Sequence, residues 1–131
     1  MITHTPMRSQ VMSSLLLAAF LVLIPACSLA ADDGFVAGTG DVPLMAGLVE
    51  ATDGALIFDA AAGRIVEVRA SGPVAADAVL RFYDQTLPQL GWLQTGPGRY
   101  AREGEALVLD VTGGAASVDV RFILRPAAAS R

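Results

Sequence analysis

The stretch GPVAADAVLRFYDQTLPQLGW, residues 72–92, decides the fold. Val79, Phe82, Tyr83, Thr86, Leu87 and Leu90 recur there at helical spacing and form one stripe. Asp77, Arg81, Asp84, Gln85 and Gln89 take the other side, with Asp77 and Arg81 at the i,i+4 spacing of a helical ion pair. Gly72-Pro73 breaks the chain ahead of it, so the pattern predicts one amphipathic helix over residues 74–90. Pro88 lacks a backbone donor and should end or kink the regular helix near Leu87, and Gly91 is a natural left-handed cap.

Strands are expected on both sides of this helix. Before it, residues 55–59 and 64–71 read as a hairpin. A three-residue loop ending at Gly63 would pair Phe58 with Val66 and Leu56 with Val68, placing all four on the core face. The register that pairs Phe58 with Ile65 splits this apolar set and is therefore not the expected one. After the helix, residues 92–95, 99–102, 106–111 and 117–125 read as strands, separated by Gly96-Pro97-Gly98, Glu103-Gly104-Glu105 and a turn at Gly113-Gly114. The last strand alternates cleanly. Val118, Val120, Phe122 and Leu124 point inward with Leu107, Leu109 and Val111, while Asp119, Arg121, Ile123 and Arg125 point outward. A two-residue turn would set Leu109 opposite Val118, and a four-residue turn would oppose Asp110 to Asp119, so the shorter turn is expected. The sum is an α+β fold: a single antiparallel sheet, ββα followed by three to four strands, with the helix packed on one face.

Residues 1–30 have the organisation of a secretory signal. Arg8 precedes an apolar run over residues 15–24, Pro25 ends it, and small residues follow. The run is shorter than the roughly 20 residues a membrane span needs. Ser28-Leu29-Ala30 offers cleavage after Ala30, whereas Ile24-Pro25-Ala26-Cys27 resembles a lipobox ending at Cys27, with Pro25 a departure from it. The first reading releases the domain into the periplasm; the second tethers it to a membrane through a lipid on Cys27. Met7, directly before Arg8, is an alternative start to Met1. Residues 31–40 are expected as a linker, residues 41–126 as the domain and residues 127–131 as a flexible tail. Residues 41–49, apolar without a clean period, are expected to lie extended across the domain surface.

Composition narrows the chemistry. The chain has no Lys, its one His is His4, and its one Cys is Cys27, so the mature domain has no disulfide. Without His or Lys it has no imidazole base, Schiff base or Ser-His pair. It offers no nitrogen or sulfur ligands for zinc and no glycine-rich phosphate loop. After residue 30 it carries eight Arg against thirteen Asp and Glu, so it presents no basic footprint for nucleic acid. Glu103 and Glu105 read as a solvated turn, and Asp32-Asp33 as linker charges. The expectation is a protein that is not an enzyme and holds no metal or cofactor.

Two places remain for binding. The outward sheet face should carry Ile57, Ile65, Val108 and Ile123 among Glu67, Arg69, Asp119, Arg121 and Arg125. That mixture suits either cover by residues 42–49 or contact with an envelope partner or a second copy. Trp92 and Tyr83 could stack a small apolar ligand between helix and sheet, although Trp92 more simply anchors the helix end and Tyr83 belongs to the core stripe. Tyr100 is expected to cover an edge.

FYDQTLPQLGW over residues 82–92, with GRIVEVRASG before it and REGEALVLDV after it, resembles a signature of small exported bacterial proteins and lipoproteins. The resemblance spans about residues 41–126. It implies an envelope location and this order of elements, and it implies no activity, cofactor or catalytic residue. The expected function is thus a non-enzymatic binding or structural module of the bacterial cell envelope. The alternatives are a carrier or sensor of a small apolar ligand and, last, an enzyme using carboxylates alone.

Overall fold

The computed structural model of the chain describes residues 34–128. The expected signal with Cys27, residues 31–33 of the expected linker and residues 129–131 of the expected tail lie outside the described residues.

Alternation in the last strand organises the molecule. Val118, Val120, Phe122 and Leu124 of β6 (Val118–Pro126) are all buried on one face. β6 is central in a six-stranded antiparallel sheet of order β1-β2-β6-β5-β4-β3. The other strands are β1 (Val49–Ala60), β2 (Gly63–Gly72), β3 (Leu93–Gly96), β4 (Arg99–Arg102) and β5 (Glu105–Gly113). The β1–β2 hairpin leads into α1 (Ala76–Thr86), which crosses one face of the sheet. A meander then returns β6 beside β2. The α+β class and the single helix on one sheet face are as the sequence implies, with four strands after the helix.

Val79, Tyr83 and Leu87 of the helical stripe are fully buried against Val66, Val68, Leu107 and Phe122. The Tyr83 ring meets Phe122 edge-on at 5.5 Å between centroids. Each such burial contributes roughly 1.5–3 kcal/mol before chain entropy is subtracted, so this stripe holds the helix to the sheet. The regular helix begins at Ala76, two residues later than expected, and the Ala76 N–H finds its acceptor in the Gly114 carbonyl at 2.9 Å. The chain tightens into a 3-10 turn over Leu87–Leu90, where Pro88 sits, and Gly91 ends it at φ 87°. Leu90 is thereby turned outward and is exposed.

Four expectations are corrected. First, β1 and β2 pair Phe58 with Ile65 and Ile57 with Val66, around a two-residue turn at Ala61-Ala62. Leu56 and Phe58 therefore leave the core face and Ile57 joins it. Residues 55–58 are apolar on both faces, so alternation sets no register there. Packing decides instead, because Ile57 Cδ1 lies where it would meet a Cβ on Gly38 at 2.6 Å. Second, β5 and β6 pair Gly113 with Val118 and Leu109 with Phe122, with residues 114–117 as the loop. The faces are those expected, but this register sets Asp110 against Arg121, an ion pair at 2.7 Å. Third, the part of the expected linker in view, residues 34–40, belongs to the domain, since Val36 and Thr39 are buried. Fourth, residues 41–48 contribute Val42 and Leu48 to the core on the helix side of the sheet rather than lying across the surface. The β-bridge between Phe35 and Pro43 folds the two halves of this strap together.

Candidate functional site

One sheet face is filled by α1 and by the strap over residues 34–48. The strap is fixed by side chains as well as by burial. Tyr83 Oη donates to the Pro43 carbonyl at 2.9 Å and accepts from the Met45 N–H at 3.2 Å. Arg102 donates to both oxygens of Asp41, at 2.7 and 2.9 Å, and to the Leu90 carbonyl at 2.8 Å. Its guanidinium lies 4.4 Å from the centre of the Trp92 ring. The Arg102 hydrogen bond pulls the Asp41 carboxyl below its usual pKa, against a smaller opposing effect of burial.

This packing removes the aromatic ligand site. Trp92 and Tyr83 are 1% and 0% exposed, with Arg102 over the Trp92 ring and Phe82 and Phe122 in edge-type contact with the Tyr83 ring. Neither has a surface left for a stacked ligand, so the pair anchors the helix end to the sheet. Tyr100, expected at an edge, is also buried, and its hydroxyl donates to the Asp84 carboxylate of α1. Burial pushes the hydroxyl pKa values of Tyr83 and Tyr100 well up, so both stay protonated donors.

The opposite sheet face holds what remains of the expected partner surface. Strand alternation and pairing bring Ile65 and Arg69 of β2, Arg121, Ile123 and Arg125 of β6 and Val108 of β5 to this side. Ile57 is not among them, because the β1 register turns its side chain toward Gly38. The same register brings Leu56 and Phe58 out in its place, 57% and 45% exposed. One cross-strand row reads Leu56, Glu67, Ile123, Val108, Arg99. Beside it Phe58 pairs with Ile65, and at the far edge Leu93, 72% exposed, pairs with Ala101. Leu56 and Phe58 were hidden from sequence reading by the register; Leu93 had a signal, being a large apolar residue directly after the buried Trp92 on an alternating strand.

Charges cluster at one end of this face. Arg69 and Arg121 stand directly opposite on β2 and β6, a repulsive arrangement. Glu67 offsets it from 3.5 Å and 3.8 Å, and Asp110 holds Arg121 at 2.7 Å. Arg69, Asp110 and Arg121 line an open cleft of about 600 Å³ together with Ser71, Thr112 and Asp119. Ser71, Thr112, Asp119 and the ion-paired Arg121 set polar groups into a largely apolar lining. The strap packs on the helix side through Val36, Val42, Leu44, Met45 and Leu48, whereas Val49, the first residue of β1, pairs with Ser71 and stands exposed on this face. No helix among the described residues is long and apolar enough to cross a membrane.

Comparison of the chain with family models, with curated proteins and with solved structures finds no match.

Proposed function

We propose that this protein is a non-enzymatic binding or structural module of the bacterial cell envelope, exported by its N-terminal signal and working through the helix-free face of its sheet. The observation that carries the reading is the set of large apolar side chains on that face. Leu56 and Phe58 stand there beside Ile65, Ile123 and Val108, bordered by Arg69, Arg121 and Arg125. An apolar centre with an arginine-rich rim is the composition of a protein-contact surface. Export supports an envelope partner, either soluble in the periplasm or, with Cys27 lipidated, at a membrane.

The test is a photo-crosslinking residue at Val108 in the exporting host, with and without Ile123→Glu. A crosslinked partner that disappears with Ile123→Glu is expected. Unchanged crosslinking in the variant, or none in the parent, would sink the reading. Intact mass of the mature protein tests its location. A mass starting at Ala31 in the soluble fraction supports the free periplasmic form, and one starting at Cys27 with acyl chains supports the tethered form.

A further inference from the structure

We infer that the open edge of β1 pairs with the same edge of a second copy, antiparallel about a two-fold axis at Ile57, so that two six-stranded sheets become one. The inference rests on the reading of this protein as a binding module and names one partner for it.

The two edges of the sheet are not alike. β3 has four residues and runs directly into Pro97, which makes it a blunted edge. β1 has twelve, and residues 55–60 pair with β2 without irregularity. Leu56, Ile57 and Phe58 are 57%, 47% and 45% exposed, on both faces of the strand. Over residues 55–60 β1 has no Pro, Lys, Arg or bulge to keep a free edge from pairing, its one irregularity lying between Glu50 and Ala55 and its one charge there being Asp59.

The hydrogen-bond pattern says which backbone groups are available. Ala60 and Gly63 pair across a two-residue turn, and such a closing pair is hydrogen-bonded to itself in both directions. By alternation Phe58 and Leu56 also bond to β2, while the N–H and C=O groups of Ala55, Ile57 and Asp59 point to the open edge. None of the loop hydrogen bonds among the described residues reaches those three.

The side-chain pattern lets this edge pair with its own copy and selects the register. An antiparallel pair centred on Leu56 would oppose Asp53 to Asp59 twice, which is repulsive. A pair centred on Phe58 would set Ala55 against Ala61, in the turn. Centred on Ile57, the strand meets itself with Ala55 opposite Asp59, Leu56 opposite Phe58 and Ile57 opposite Ile57. All three edge-facing residues then find partners, no carboxylates oppose, and about six backbone hydrogen bonds form. Leu56 of the second copy also extends the row of Ile65 and Phe58, joining the two helix-free faces. Edge-to-edge pairing of one short strand makes a small contact, so the dimer should be weak and concentration-dependent.

Sedimentation velocity of residues 31–131 from about 10 µM to 1 mM reads this equilibrium. A monomer–dimer transition in that range is expected. Ile57→Pro removes an N–H that faces the edge, so the fold should survive, by circular dichroism, while dimerisation weakens at least about ten-fold. Ile57→Cys gives a second reading that does not depend on tolerance of proline. Residues directly opposite at a two-fold are within disulfide reach, so mild oxidation should trap dimers that Leu93→Cys, on the other edge, does not form. A monomer at every concentration, a dimer unaffected by Ile57→Pro, or equal trapping at residue 93 overturns the pairing. If the Val108 crosslink still depends on Ile123 in any of these cases, the edge inference alone falls. If the dimer forms and no Ile123-dependent partner is found, the edge stands and the partner-face reading falls.

Discussion

Arg102 and Tyr83 each tie three parts of the chain together, and their substitution separates packing from charge. Arg102→Ala loses the fork to Asp41, the bond to Leu90 and the cover over Trp92, and should cost about 2 kcal/mol in urea unfolding. Asp41→Ala removes only the fork to a half-exposed carboxylate and should cost under about 1 kcal/mol. The Asp41 pKa is lowered in the folded state, so its contribution is present above its unfolded value near 3.8 and fades as pH falls through the lower folded value. The urea midpoint should therefore drop below about pH 4, less steeply in Asp41→Asn than in the parent. Tyr83→Phe leaves the Met45 N–H and the Pro43 carbonyl without their partner and should cost about 1–2 kcal/mol while the ring packing persists. A change within a few tenths of a kcal/mol would mean that water replaces the hydroxyl. Of these roles only the core position of Tyr83 was legible in the sequence, as a member of the helical stripe. Arg102 lay on an ordinary strand, 61 residues from Asp41, and no periodicity links them.

At the scale of elements, patterns with one apolar face were read correctly and patterns with two were not. β6 alternates apolar and charged residues and lies as expected; α1 shows its stripe, its break at Pro88 and its cap at Gly91. β1 offers Ala55, Leu56, Ile57 and Phe58 in succession, and its register depends on what fills the space beneath it. The β5–β6 faces were legible, yet the turn was not, because the Asp110–Arg121 pairing lies in a register offset from both turns weighed. The join between the strap and β2 gives an element-scale test. A Cβ at Gly72 would lie 1.9 Å from the Gly47 carbonyl oxygen, a backbone atom that cannot swing aside. Gly72→Ala should therefore destabilise by about 2 kcal/mol or more and open residues 40–48 to limited proteolysis. Protection of that segment equal to the parent's would show that the strap shifts without loss.

For the whole molecule, the boundary of the domain is the first consequence of the strap. A chain starting at Asp41 lacks Val36, which is 1% exposed, and should unfold about 2–3 kcal/mol more easily than one starting at Ala31. Equal urea midpoints would return residues 34–40 to the status of a linker. On the helix-free face the expectation is different in kind: Ile123→Glu, partly buried and directly opposite Glu67, should cost about 1 kcal/mol, leave the domain folded and act mainly on association. By itself the sequence determined the α+β class, the single helix with its stop, the inward faces of β5 and β6, and the absence of imidazole, amine and thiol chemistry after Cys27. These follow from local periodicity and residue type. Only the tertiary structure decided the β1 register, the course of residues 34–48 over the helix side, and hence which apolar side chains stand on the open face. Those depend on competition for one buried surface among segments distant in the chain, where Ile57, Val36 and Val42 fill the space that Leu56 and Phe58 were expected to take.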